Sequence, residues 1–96
     1  PIVPVALMAE VLLKSKQEWK SELVLKTQCV ARIEQLRKAG APIDISSSAL
    51  ESVLGSAMHA LLGRGLIDEK DNLYKLKETE VDIMRYYANS IAHWQE

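Results

Sequence analysis

Ninety-six residues with 48% hydrophobic and 26% charged content describe one small globular domain, and they exclude a disordered or fibrous chain. The formal net charge is −1, with seven Lys/Arg against five Asp/Glu in residues 1–48 and five against eight in residues 49–96. That balance excludes the basic surplus with which nucleic-acid binders hold phosphate. Cys29 is the only cysteine, so no internal disulfide forms, and a reducing compartment fits.

The chain opens on an apolar run, IVPVALMAEVLL. It has no basic leader, it is short, and it carries Glu10, so it reads neither as a signal peptide nor as a bilayer span. With Pro1 in place of Met, the chain is expected to be part of something longer. The spacing predicts a first helix over 4–14. Pro4 suits a first helical turn, where a missing N–H costs nothing. Val5, Met8, Val11 and Leu12 make one face and Leu7 and Leu13 extend it, which predicts a core helix. A membrane-surface or partner-docking helix is the competing reading.

SKQEWK is a connector. Ser21 is a candidate N-cap for a second helix over 21–39. Leu23, Val30, Ile33 and Leu36 are expected on its buried side with Cys29 at the edge, and Lys26, Arg32 and Arg37 mostly in solvent. Arg37 and Lys38 complement the dipole of the last turn, Gly40 suits a left-handed C′ position, and Pro42 confirms the stop. A third helix follows, with Ser48 and Glu51 as a capping box. Leu50, Val53, Leu54, Ala57, Met58, Leu61 and Leu62 form its apolar stripe. Gly55 and Gly63 suit close packing, and Gly65 is its expected end.

The period then changes. GLIDEKDNLYKL reads as two short strands about the polar turn EKDN, with Ile67, Tyr74 and Leu76 on the buried side. A last helix from Glu80 carries RYYANSIAHW, which holds three of the chain's five aromatic residues. Ile83, Met84, Tyr87, Ile91 and Trp94 project to one side of it. Tyr86, Asn89 and His93 share another, a ledge that is either a polar rim or a contact with a further part of the protein. The fold class expected is mainly α with a small β-hairpin, resembling a winged-helix domain.

Few residues suggest chemistry. His59 and His93 have no partner at metal-ligand spacing and Cys29 stands alone, so no metal or cofactor is expected. His59 reads as structural. The serines at 46–48 lack a glycine-rich cradle and a following lysine, and GRGL at 63–66 falls in the wrong order for a dinucleotide site. The third helix offers one base, Arg64, at its end. Asp68, Glu69 and Asp71 outnumber Lys70 in the turn, so a wing of this composition repels phosphate.

Three segments are similar to a known family. IVPVALMAEVLL, the pair RGLID and LYKL, and RYYANSIAHW resemble the C-terminal region of bacterial glycerol-3-phosphate acyltransferases of the PlsB type. There, segments close to "TPVALVATVLL" and "YYRNNILHLF" stand in this order. Tyr86, Tyr87, Asn89, Ile91 and His93 match the second, while Ala88 replaces a common Arg and Trp94 a common aliphatic residue. The resemblance implies that residues 1–96 are a single accessory C-terminal domain with the catalytic domain upstream. It implies a parent that transfers an acyl group from acyl-CoA or acyl-carrier protein to glycerol 3-phosphate, in phospholipid synthesis at the cytoplasmic face of the inner membrane. Family chemistry uses a His-x-x-x-x-Asp motif. Five residues after His59 stands Arg64, and five after His93 lies beyond residue 96, so the chain alone is expected to be soluble and inactive. The ledge Tyr86, Asn89 and His93 is the expected interdomain contact. A free-standing winged-helix module for protein or DNA is the alternative.

Overall fold

The structure, a computed structural model, describes residues 3–16, 18–41, 43 and 47–89. The first helix, α1 (Pro4–Ser15), starts on the proline predicted to open it. Ala6 to Leu12 are all buried, Leu7, Met8 and Leu12 completely. A helix covered on so many sides is a hub, and α1 packs against each of the other three helices. The core reading of this helix therefore holds. Among the described residues no helix is long and apolar enough to cross a membrane.

A two-residue strand, β1 (Lys20–Ser21), leads into α2 (Glu22–Lys38). Ser21 is the N-cap, its Oγ accepting from the Val24 N–H at 3.2 Å. The C-terminus closes as a Schellman motif. Gly40 has φ +92°, its N–H donates to the Arg37 carbonyl (3.0 Å), and the Ala41 N–H donates to Leu36 (2.9 Å). Pro42 lies outside the described residues.

The buried face of α2 differs from expectation. It consists of Leu25, Cys29, Ile33 and Leu36, with Cys29 fully enclosed, whereas Leu23 is 72% exposed and Val30 faces solvent. At about 100° per residue, Cys29, Leu36 and Leu25 lie within ~80° of Ile33 on one side, and Val30 and Leu23 lie ~60–80° to the other. Ile33 stands at the border of both arcs. The choice between them is made by what packs against the helix, here Met8, whose sulfur lies 4.0 Å from the Cys29 sulfur.

The third helix, α3 (Ser47–Gly63), buries Leu54, Ala57, Met58 and Leu61, with Leu50, Val53 and Leu62 half-buried, as its stripe predicts. It begins one residue before Ser48, which places Ser48 inside the first turn, and the Ser48 side chain lies outside the described residues. Gly55 is a point of close approach, since a Cβ there would stand 3.3 Å from Lys26 Nζ, but nothing lies within 4 Å of one at Gly63. Gly65 (φ +75°) ends the turn after the helix: its N–H donates to Leu62 and the Leu66 N–H to Leu61.

Strands β2 (Ile67–Lys70) and β3 (Leu73–Leu76) form the predicted antiparallel hairpin. The turn residues Asp71 and Asn72 both have positive φ, 53° and 62°, the geometry of a two-residue type I′ turn. Ile67, Tyr74 and Leu76 are buried together. The sheet has a third strand that the sequence pattern does not show, because β1 pairs with β3 and gives the order β1-β3-β2. A 3₁₀ turn (Glu78–Glu80) then feeds α4 (Val81–Ala88). Among the described residues the result is a mainly α domain of four helices around one core, with a small antiparallel sheet.

Candidate functional site

The ledge stands on α4, and the chain before it sets its angle. The Lys77 N–H donates to the Leu66 carbonyl (3.1 Å), which ties the end of β3 to the start of β2, and the Glu80 N–H donates back to Lys77 (3.0 Å). From there α4 lies on α1 through Met84, which is fully buried, with Val81, Tyr87 and Ala88 half-buried beside it. Ile83, expected in the core, is 47% exposed. It sits about 100° around the helix from Met84, outside the arc that runs from Tyr87 to Val81. Ile91 and Trp94 lie outside the described residues.

Tyr87 is held from two sides. The Arg64 guanidinium lies 5.3 Å from its ring centroid, and Arg64 Nη1 donates to its hydroxyl. The Tyr86 ring meets it edge to face, with centroids 6.2 Å apart. Tyr86 itself is 79% exposed, and Asn89 at its foot is exposed. His93, the third member of the expected ledge, lies outside the described residues. Beside Tyr86 and Asn89 opens a groove of about 490 Å³, lined also by Val3, Val5, Ala6, Arg64 and Tyr87. Its walls are mostly apolar, with an Arg, a Tyr hydroxyl and an amide placed to fix orientation. Such a mixture suits contact with another protein surface, where Tyr and Arg are enriched.

The single base at the end of α3, Arg64, is thus engaged with Tyr87 rather than offered to phosphate. His59 is exposed on α3, and the family of Asp68, Glu69 and Asp71 surrounds the hairpin turn, with Glu69 accepting from the Tyr74 hydroxyl at 3.2 Å.

The family model of the glycerol-3-phosphate acyltransferase C-terminal region matches residues 1–95. This chain belongs to that family. Among curated proteins and solved structures nothing matches it. Within the acyltransferase C-terminal region, Tyr86 and Asn89 are the members of the expected ledge that the structure brings together, and they do so on an outward face.

A second feature of the acyltransferase C-terminal region is not predicted by its sequence pattern. Glu10 is buried in α1, and Arg32 of α2 meets it fork to fork, Nε–Oε1 at 2.6 Å and Nη2–Oε2 at 3.2 Å. Arg32 Nη1 also donates to Gln35 Oε1 (3.1 Å). The side chains are only 6% and 10% exposed, so Arg32 is not the solvated charge that its place among polar residues suggests. The signal available was Glu10 itself: a carboxylate inside an apolar stripe requires a cation.

Proposed function

We propose that this domain is a non-catalytic part of a glycerol-3-phosphate acyltransferase, and that it docks through the α4 ledge on the catalytic domain of the same parent chain. The observation that carries the reading is Tyr86, a large ring left 79% exposed on a helix whose other aromatic is clamped by Arg64. Ile83 and the groove floor of Val3 and Val5 extend the surface. The parent, on this reading, transfers an acyl group from acyl-CoA or acyl-carrier protein to glycerol 3-phosphate at the membrane surface for phospholipid synthesis. The domain positions or regulates the catalytic part. The absence of the family motif after His59, where Arg64 occupies the fifth position, supports leaving the chemistry to that part.

Two chains expressed together, the catalytic region and residues 1–96, test this. They are expected to co-purify, and Tyr86→Ser with Asn89→Ala is expected to separate them while leaving the circular dichroism of the domain unchanged. Acyl transfer by residues 1–96 alone, or an association indifferent to Tyr86, overturns the reading.

The arrangement of a two-residue strand, two helices and a hairpin, with strand order β1-β3-β2, supports a second reading as a winged-helix module. Its use for DNA is opposed by the acids of the hairpin and by the engagement of Arg64. A gel shift at physiological salt decides it, since tight, salt-sensitive binding contradicts the charge argument.

A further inference from the structure

The solvent face of α2 carries an apolar stripe. Leu23 is 72% exposed, Val24 42% and Val30 41%, and Thr27 and Ala31 are exposed with them. The Thr27 hydroxyl donates to the Leu23 carbonyl at 2.8 Å, so it asks for no acceptor from a partner. At about 100° per residue, Leu23 and Ala31 lie ~40° to either side of Thr27, and Val24 and Val30 lie ~60° to either side. A stripe of this shape suits a second helix laid along it.

The order of these side chains is self-complementary. A second copy, turned end for end about a two-fold axis through Thr27, places Leu23 of each copy over Ala31 of the other. Val24 then lies over Val30, and Thr27 over its own equivalent. A large side chain meets a small one and two β-branched ones meet each other, which is how the ridges of one helix fill the grooves of another. Charge agrees with this direction. Each end of α2 carries an open ion pair, Glu18–Lys20 (3.6 Å) before the helix and Glu34–Arg37 (3.3 Å) toward its close. An antiparallel copy brings the first pair to the second, acid and base on both sides, and it sets the helix dipoles in opposition. A parallel copy sets Leu23 beside Leu23, leaves Ala31 beside Ala31, and aligns the two dipoles.

We propose that α2 pairs antiparallel with α2 of a second copy of this chain, in an isologous two-fold dimer. The stripe is narrow, and a few aliphatic side chains per copy fall short of the ~1,200 Å² that stable interfaces bury. The dimer is therefore weak, with a Kd on the order of 100 μM. It goes beyond the docking through α4 and uses none of the residues of that ledge.

Sedimentation equilibrium of residues 1–96, from about 10 μM to about 1 mM, reads the association. A monomer–dimer equilibrium is expected, and Leu23→Glu is expected to weaken it at least about tenfold, since each dimer loses two leucines and gains two charges. The circular dichroism of that variant should match the parent, because the side chain stands in solvent. Cysteine placement fixes the register. Under mild oxidation Thr27→Cys is expected to form a disulfide with its copy, and Val24→Cys is expected to join Val30→Cys when the two variants are mixed. Ser56→Cys, exposed on α3, should stay monomeric, and the buried Cys29 does not compete. A monomer throughout the concentration range overturns the proposal. So do association unchanged by Leu23→Glu, association lost with Tyr86→Ser instead, and a Val24→Cys variant that joins itself in preference to Val30→Cys.

Discussion

The Glu10–Arg32 fork gives a sharp test of how α1 is fixed on α2. Replacing Arg32 by Met keeps the stem that packs along α2 and removes the guanidinium. The Glu10 carboxylate, only 6% exposed, then loses both of its short contacts to Arg32. Removing one partner of a buried ion pair costs about 3–5 kcal/mol, against about 5–15 kcal/mol for the whole stability of a small domain. Glu10→Leu is expected to cost less, about 1–2 kcal/mol. Arg32 lies nearer the rim, keeps Gln35 as an acceptor, and its long stem can carry the head group to water. The double variant buries no charge and is expected to cost no more than about 1 kcal/mol, which makes the coupling between the sites about 3–7 kcal/mol. Urea unfolding followed by far-ultraviolet circular dichroism reads this directly. With a slope of about 1–3 kcal/mol per molar for a domain of this size, Arg32→Met lowers the midpoint by roughly 2 M. An Arg32→Met variant within about 1 kcal/mol of the parent refutes the reasoning, and so does a double variant that loses the sum of the two single changes.

Other expectations follow from single positions. Met84→Ala removes a fully buried side chain between α4 and α1 and should cost about 2–5 kcal/mol, whereas Ile83→Ala, one residue away and 47% exposed, should stay within about 0.5 kcal/mol; urea midpoints compare them. Two glycines should respond with opposite signs in a thermal melt. Gly40→Ala forces a Cβ into φ +92° and should destabilise by about 1 kcal/mol, while Gly63→Ala fills open space in a helix and should stabilise by about 0.5–1 kcal/mol. Burial, with the Glu10 carboxylate adding to it, pushes the Cys29 thiol from 9.0 up to about 12. The native thiol should therefore resist alkylation until the chain unfolds. The unfolded thiol ionises first, so stability is complete below pH 9 and falls above it by up to about 1.4 kcal/mol per pH unit. Cys29→Ala should lack that component in a series of urea melts between pH 8 and about 10.

The parts of this fold that the sequence announces are those settled within a few residues of chain. Ser21, Gly40 and Gly65 end or begin helices through hydrogen bonds to neighbours three to five positions away, and Asp71–Asn72 makes its turn by its own backbone. What the sequence conceals depends on distant partners. Strand β1 is two residues long and shows no period, since it exists only because Tyr74 and Leu73 of β3 lie opposite it. The apolar residues of α2 support two overlapping arcs, and the packing of Met8 on Cys29 selects one. Arg32 has the neighbours of a solvent-facing residue, and only the position of α1 turns it inward. The same limit applies to the ledge. Helical spacing places Tyr86 and Asn89 on one face, but the groove beside them is made by Val3 and Val5, more than eighty residues earlier in the chain.

Among the described residues, the exposed large apolar side chains carried on helices fall on two outward faces, Leu23, Val24 and Val30 on α2 and Ile83 and Tyr86 on α4, while Val3, Trp19 and Leu73 are exposed outside them. They differ in what lies behind them. The α2 residues are aliphatic and carry no polar handle, so a partner laid on them alone gains area without orientation. Tyr86 leans on Tyr87, whose hydroxyl and ring face are both held by Arg64 at the end of α3, and Met84 pins the same helix to α1. A surface whose anchor is already ordered loses little conformational freedom when a partner arrives, and the few polar groups around it select among orientations. Rigidity behind the ring, more than exposed area, therefore supports the proposed docking through α4, and it predicts that loosening the clamp by Arg64→Ala weakens docking while leaving Tyr86 itself untouched.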